Sequence, residues 1–361
     1  MSTTISFAQN PHLEFKKVLH QRVDNYFKET GLSRNYNSAM VFKTIVMLSI
    51  YIIPFVVILT VPLPFWTVLA AYFLMGVGVA GIGMSVMHDA NHAGYSENQK
   101  ANRWLGLTMN FIGGDAYNWK IKHNKLHHVF TNIYGKDEDI QSRAVLRFAY
   151  AAPLKKYHRF QYIYAWAFYA LMSLSIVMLD IPKRFIYRRK GVTNIAPYRF
   201  RRSLAWLIAG KLAYFFAFFG LPLLLTGLLW WQVILGFLVM QFTAGIIMSI
   251  VFQLAHVVEG PHQAIPDKDG HIKDTLIEHQ MKSTADFSKG NKLLSWYVGG
   301  LNYQVEHHLY PKVCHVHYPA ISKIVEQTSR EYNVPYYVYD RFSDAFMAHL
   351  RTLKKLGSIK V

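Results

Sequence analysis

The chain has 361 residues, of which 52% are apolar and only 17% charged, too few charges for an ordinary water-soluble domain. Lysine and arginine (39) outnumber aspartate and glutamate (21), a net charge of +18 that would suit a nucleic-acid binder if the apolar residues did not fall in blocks long enough to cross a bilayer. A single cysteine, Cys314, excludes an internal disulfide framework and a thiolate-rich zinc or iron–sulfur cage, whereas histidine, at 17, is in excess.

Residues 1–40 lack the basic start and short apolar core of a secretory signal and read as a polar, partly helical cytoplasmic arm. Residues 41–361 then read as one membrane domain. Apolar runs lie at roughly 41–61, 65–87, 160–181, 204–226 and 229–255. About 20 residues at 1.5 Å rise match the roughly 30 Å hydrocarbon thickness. Val61-Pro62-Leu63-Pro64 joins the first two runs and a short link near Thr226-Gly227 joins the last two, so each pair forms a hairpin. Short cytoplasmic loops collect lysine and arginine. The arm carries Lys16, Lys17, Arg22, Lys28 and Arg34, and 182–203 carries eight basic residues and no acidic one. Placing both on one side leaves four crossings, with 160–181 lying in the interface or re-entering. Its Tyr162, Tyr164, Trp166 and Tyr169 suit that position. The fold class is therefore all-α integral membrane, with four transmembrane helices in two hairpins, a cytoplasmic helical cap (88–203 and 256–361) and an in-plane interfacial helix.

Three histidine clusters fall in that cap. His88-Asp89-Ala90-Asn91-His92 places two imidazoles one helical turn apart, a natural metal bite. His123-Asn124-Lys125-Leu126-His127-His128 adds a neighbouring ring to such a pair, and Gln304-Val305-Glu306-His307-His308 repeats the adjacent rings behind a glutamine. By this topology His256, closing the last span, emerges beside the end of the second. His88, His92, His123, His127, His128, His256, His307 and His308 give eight nitrogen donors, more than one ion can use, so two metals are expected. Imidazole suits iron, copper, zinc and nickel alike.

HDANH (88–92), HNKLHH (123–128) and GGLNYQVEHHLYP (299–311) resemble the three histidine boxes of the membrane fatty acid desaturases. The glutamine opening the third box resembles the front-end, linoleoyl-CoA-type branch. Trp119, Gln253–His256 and 315–335 extend the likeness over most of the chain after residue 80. The resemblance implies a di-iron centre (Fe2+/Fe3+) on the cytoplasmic side and O2-dependent insertion of a cis double bond into a long-chain acyl group carried on CoA or lipid. No side chain can break an unactivated C–H bond and zinc is redox-inert, whereas iron activating O2 can do so. Asp89, Asn91, Asp115, Asn302 and Glu306 are candidate acceptors behind the histidines, and Gln304 is assigned water-mediated contact or support of that kind. Trp119 and Trp296 are candidates to line the chain's path, with Lys120, Lys122, Arg143, Arg188 or Arg189 meeting its headgroup.

No histidine ahead of His88 is followed by Pro-Gly-Gly, the haem signature of a fused cytochrome b5 domain. The reading is thus no bound haem or flavin, and an external electron donor: ferredoxin, free cytochrome b5 or a flavin-dependent reductase. A bacterial inner membrane is favoured over the endoplasmic reticulum. The nearest rival is a lipid hydroxylase on the same scaffold; rivals of another class are a metal transporter and a metal-dependent receptor. His158, His262, His271, His279, His315, His317 and His349 are expected at the surface or interface.

Overall fold

The computed structural model describes residues 5–8, 13–141, 145–193 and 196–359. The chain is mostly helical. Its principal helices are α1 (Leu13–Thr30), α2 (Ser38–Thr60), α3 (Phe65–Asn91), α4 (Gln99–Gly106), α5 (Ala116–Lys120), α6 (Lys156–Arg189), α7 (Pro197–Leu225), α8 (Trp230–His256), α9 (Leu276–Ser283), α10 (Gln304–Leu309), α11 (Tyr318–Glu331) and α12 (Phe342–Leu356). Five of these, α2, α3, α6, α7 and α8, are long and apolar enough to cross a membrane. α6 runs 34 residues, well beyond the apolar stretch 160–181, because polar residues at both ends continue its helical hydrogen bonding.

The mostly helical structure also contains two short parallel strand pairs, which the sequence reading did not include. β1 (Ser6–Phe7) pairs with β2 (His271–Ile272), and β3 (Ala285–Phe287) with β4 (Tyr337–Tyr339), in the register Ala285↔Tyr337. Segments of two or three residues carry no period-2 pattern in the sequence; only their partners, far along the chain, make them strands.

The chain divides into two compact units. The first comprises Met1–Asn37, Lys122–Ala165 and Val251–Val361. Here the N-terminal segment is more than a polar arm. Phe15, Leu19, Val23 and Phe27 form one stripe of α1, spaced four apart, and are buried with Tyr318, Ile321 and Val325 of α11 and Val305 of α10. Each such side chain contributes roughly 1.5–3 kcal/mol on burial. A capping box starts α9: the Thr275 hydroxyl accepts from the Glu278 amide, and the Glu278 carboxylate accepts from the Thr275 amide at 2.9 Å. Before α10, Gly299 and Gly300 both take left-handed backbone angles, and a Cβ on Gly300 would stand 2.8 Å from that of His315.

The second unit, Ser38–Ile121 and Trp166–Ile250, is the helical bundle proper. Its surface carries large apolar side chains, among them Phe42, Ile53, Trp66, Leu224 and Trp230, as a lipid-facing surface should. Small residues let the helices approach closely: a Cβ on Gly76 of α3 would meet the Met240 carbonyl of α8 at 2.6 Å.

Charge is nonetheless buried inside this bundle. Lys211 Nζ donates to Asp180 Oδ2 at 2.7 Å and to the Gly113 carbonyl at 2.6 Å. Arg184 donates to Asp115 Oδ1 at 2.5 Å and to Asn118 Oδ1 at 2.8 Å, with its guanidinium over the Tyr117 ring. Asn118 Nδ2 in turn donates to the Asp180 carbonyl at 2.7 Å. The network ties α5 to α6 and α7.

Candidate metal centre

Six imidazoles converge in the first unit: His123, His127, His128, His256, His307 and His308. Ring centroids are 4.3 Å apart for His128–His308, 4.6 Å for His128–His307, 4.7 Å for His127–His256 and 5.0 Å for His127–His308. The second histidine motif achieves this through a π-helical turn, Ile121–His127. The His128 amide donates to the His123 carbonyl, five residues back, at 2.9 Å. In an α-helix, at about 100° per residue, a ring five positions on would point well away from the first. The wider turn brings His128 Nε2 to 3.2 Å from His123 Nε2. On α10, His307 and His308 face the same cluster, and His256 enters it from the last turn of α8.

Acceptors on the far side of three rings, His127, His256 and His308, define their tautomers. His127 Nδ1 lies 3.1 Å from Asp137 Oδ2. A carboxylate accepts, so Nδ1 carries the proton and Nε2 presents its lone pair. That Nε2 is buried and has no hydrogen-bond partner among the described residues. His256 Nδ1 faces the Ser283 carbonyl at 3.4 Å, which sets the same tautomer. His308 Nδ1 lies 2.7 Å from Gln280 Oε1. His307 Nδ1 is 3.3 Å from the Tyr318 hydroxyl, and His307 Nε2 meets His128 Nε2 at 2.9 Å.

Asp137 is held in place by accepting from the Asn132 and Asp139 amides, each at 2.9 Å. Burial opposes a charge on His127, but Asp137, aided by Asp139, outweighs it and holds the ring's pKa above its ordinary value. His127, His256 and His308 thus each carry the proton on Nδ1 and present the Nε2 lone pair, the form in which imidazole binds a metal ion. The ligand nitrogens of His127, His256 and His308 lie within 4.8 Å of one another, as do those of His128, His307 and His308. Metal–imidazole bonds of about 2.0–2.1 Å fit either triplet with small adjustments. An all-nitrogen donor set with an orphaned, buried Nε2 therefore fits transition-metal ions, with His308 common to both triplets.

His88 and His92 belong to the second unit, on the last turn of α3. Their centroids are 4.8 Å apart, and the Trp119 ring stands nearly perpendicular to both, with centroid separations of 5.5 and 5.6 Å. Asp89 Oδ1 stands 3.7 Å from His88 Nδ1.

Other expected site residues take varied places. Gln304 contacts histidine directly, its Nε2 lying 2.9 Å from His256 Nε2 and 3.4 Å from His308 Nε2. Asp115 is corrected: it caps α5 through the Asn118 amide and pairs with Arg184, because the buried guanidinium requires a counter-charge. Asn302 instead donates to the Phe287 and Ser288 carbonyls and to Ser295, closing the turn beside β3. Glu306 accepts from the Tyr336 hydroxyl at 3.0 Å and lies beside Asp286; burial and that neighbouring carboxylate lift its pKa well above its ordinary value. Asn91 donates to the Gly106 carbonyl of α4 at 3.2 Å. Lys122 forms an ion pair with Asp139. Lys120, Arg188 and Arg189 are exposed, with Arg188 over the Phe200 ring, and Trp296 is half-buried. Arg143 lies outside the described residues.

Asp137, Gln280 and Tyr318 were not anticipated as partners of the cluster. Asp137-Glu138-Asp139 is the one run of adjacent acidic residues in a strongly basic chain, a signal that could have found the first. His158, His279, His315, His317 and His349, expected at the surface, are buried; only His262 and His271 are exposed. Four of these rings are hydrogen-bonded: His279 with the Thr131 carbonyl at 2.8 Å, His349 with the Val257 carbonyl at 2.7 Å, His158 with the Lys155 amide and His317 with the Asn35 carbonyl.

Five helices of membrane length and a cluster of buried imidazoles that fits a metal site define the class as a multi-pass membrane protein with metal-binding capacity. The fatty acid desaturase family model matches residues 64–340, and the chain belongs to that family. It is 35% identical to the sn-1 linoleoyl-lipid 6-desaturase of Synechocystis sp., over 95% of both chains. It is 33% identical to the protein of the same description in Arthrospira platensis, over 99% of this chain and 96% of the relative. The acyl-lipid (8-3)-desaturase of Physcomitrium patens is 32% identical over 98% of this chain and 74% of the relative. The chain is thus a multi-pass membrane oxidoreductase that desaturates fatty acids.

Proposed function

We propose that this desaturase holds two iron ions and uses O2 to insert a cis double bond into a long-chain acyl group, with lipid-linked chains as the preferred substrate. The observation that carries the metal reading is the convergence of His127, His256 and His308, each with Nδ1 on an acceptor and Nε2 turned inward. His123, His128 and His307 complete the donors of that unit, and His88 and His92 join the ligand set as the first of the three boxes. Iron supplies the oxidising power toward O2 and the C–H bond that no side chain has. The chain's own residues fix the imidazole tautomers and exclude water from the cluster: His127 and Asp137 are fully buried. Acyl-lipid substrates are favoured because the relatives are described as lipid desaturases.

Trp119 and Trp296 are proposed to border the acyl path, and Lys120, Arg188 and Arg189 to meet its headgroup; Lys122, committed to Asp139, is the weakest member of that set. Electrons come from a separate ferredoxin, cytochrome b5 or flavin-dependent reductase. The proposed topology has four crossings (α2, α3, α7 and α8), with α6 in the interface and both basic segments on the cytoplasmic face of a bacterial inner membrane. Labelling that found residues 190 and 310 on opposite sides would overturn it.

A hydroxylase uses the same parts, and its product differs by a gained oxygen rather than two lost hydrogens. A transporter needs ionisable groups free along its path. The buried charges Asp180, Lys211, Asp115 and Arg184 are instead consumed by one another. The test is expression in a host lacking polyunsaturated lipids, with profiling of double-bond position and of the lipid class that carries it. A new cis double bond, first appearing in membrane lipid, is expected; hydroxylated products or an unchanged profile would refute the reading.

A further inference from the structure

Gln280, the fifth residue of α9, touches both the second and the third histidine motifs, although neither its position nor its residue type marks it as part of either. Its side-chain Nε2 donates to the His128 carbonyl at 2.7 Å. Its Oε1 lies 2.7 Å from His308 Nδ1 and 3.0 Å from the Thr131 hydroxyl. A carbonyl oxygen can only accept, so the amide end facing His128 must be the NH2. The opposite end is therefore the oxygen, also an acceptor only, and it requires His308 Nδ1 to carry the proton. The ring's lone pair then falls on Nε2, the atom turned toward His127 and His256. Thr131, whose hydroxyl lies 2.8 Å from the His127 carbonyl, backs the arrangement. Gln280 is 4% exposed, so water offers no ready substitute for either bond.

We infer that Gln280 is a positioning residue of the metal centre: its amide oxygen sets the tautomer of His308, and the NH2 on the His128 carbonyl serves only to fix which way the amide points. It acts through His308 and does not touch the ion. The inference rests on the metal-centre reading above. α9 is suited to the task because its capping box fixes its first turn against the chain, so the amide is presented from a rigid element. The same helix ends at Ser283, whose carbonyl faces His256 Nδ1, so α9 orients two of the three rings in that triplet.

Gln280→Met and Gln280→Glu separate acceptor from bridge. Both abolish the NH2 donated to His128, but only the glutamate keeps an acceptor on His308 Nδ1 at the same reach. Full-length protein, purified in detergent after iron-replete expression, is assayed for iron per chain and, after loading with Co2+, for the visible absorption of the bound ion. The wild type and Gln280→Glu should keep two irons and the same cobalt spectrum. Gln280→Met should bind iron about 10–100-fold more weakly, retain about one after dialysis and show a changed cobalt spectrum. His308→Ala should lose the same ion.

Two irons and an unaltered spectrum in Gln280→Met would overturn the inference. So would a folded Gln280→Glu that falls to one iron, an arm that stands even if the methionine variant fails to fold. A wild type holding no iron would instead defeat the metal-centre reading, and the inference with it.

Discussion

The two units bury polar groups by opposite means. In the helical bundle, Lys211, Asp180, Asn118, Arg184 and Asp115 satisfy one another: every charge meets a counter-charge within 2.7 Å and both amide ends of Asn118 are used. In the histidine unit the outer edges of three rings are equally well served, by Asp137, Gln280 and the Ser283 carbonyl, while on the inner side only the Gln304 amide approaches His256 and His308, and His127 Nε2 has no hydrogen-bond partner among the described residues. A closed network holds helices together. An open one, in which the buried His127 Nε2 has no hydrogen-bond partner among the described residues, fits a metal site. The difference separates a structural cluster from a functional one without reference to motif.

Breaking the open network should cost most in function. His127→Ala removes a ring bridging Asp137 and the cluster; we expect desaturation to fall by more than about 100-fold and iron to be lost, with membrane insertion unchanged. Assays of fatty-acid product, iron content and membrane fractionation check each part, and near-normal turnover would show that His127 is no ligand.

Breaking the closed network should cost stability instead. Lys211→Met strands Asp180 in an apolar bundle, at about 3–5 kcal/mol, read as a large fall in the thermal midpoint in detergent. Adding Asp180→Leu should recover most of it. If the double variant is no better than the single one, the pair is not the closed unit described.

The smallest effect distinguishes a third class, buried histidines with no metal role. Burial holds the pKa of His279 and His349 at about 4, against an ordinary value of 6.5. Between those values the unfolded chain takes up protons that the folded chain refuses. Their stabilising contribution is therefore complete above about pH 6.5 and is lost progressively as pH falls toward 4. His349→Gln, which can still donate to the Val257 carbonyl, should reduce the acid sensitivity of the thermal midpoint by on the order of 2–3 kcal/mol between pH 7 and pH 4. A pH profile identical to the wild type would show that His349 does not titrate in that range.

The elements follow closely from the sequence where the physics is local. Runs of about 20 apolar residues announce helices of membrane length because bilayer thickness sets that length, and Pro62, Pro64 and the Thr226-Gly227 link announce their ends. Histidines four apart announce a shared face because the helix repeats every 3.6 residues. The sequence by itself therefore determined the class of protein, the helices and the histidine motifs that supply candidate donors.

Only the tertiary structure decided how those donors are oriented. Asp137 stands 10 residues from His127, Gln280 28 residues from His308, and His307 meets His128 across 179 residues. None of these separations has a period, so no pattern along the chain marks them. The π turn that swings His128 beside His123 is likewise chosen by packing, since the residues of 121–127 would satisfy an α-helix as well. The apolar stripe of α1 was written in the sequence as Phe15, Leu19, Val23 and Phe27, yet its burial depended on α10 and α11, nearly 300 residues later. Local periodicity sets what each segment can be; the pairing of buried hydrogen-bonding groups, which must be satisfied wherever the chain happens to bring a partner, sets what the site becomes.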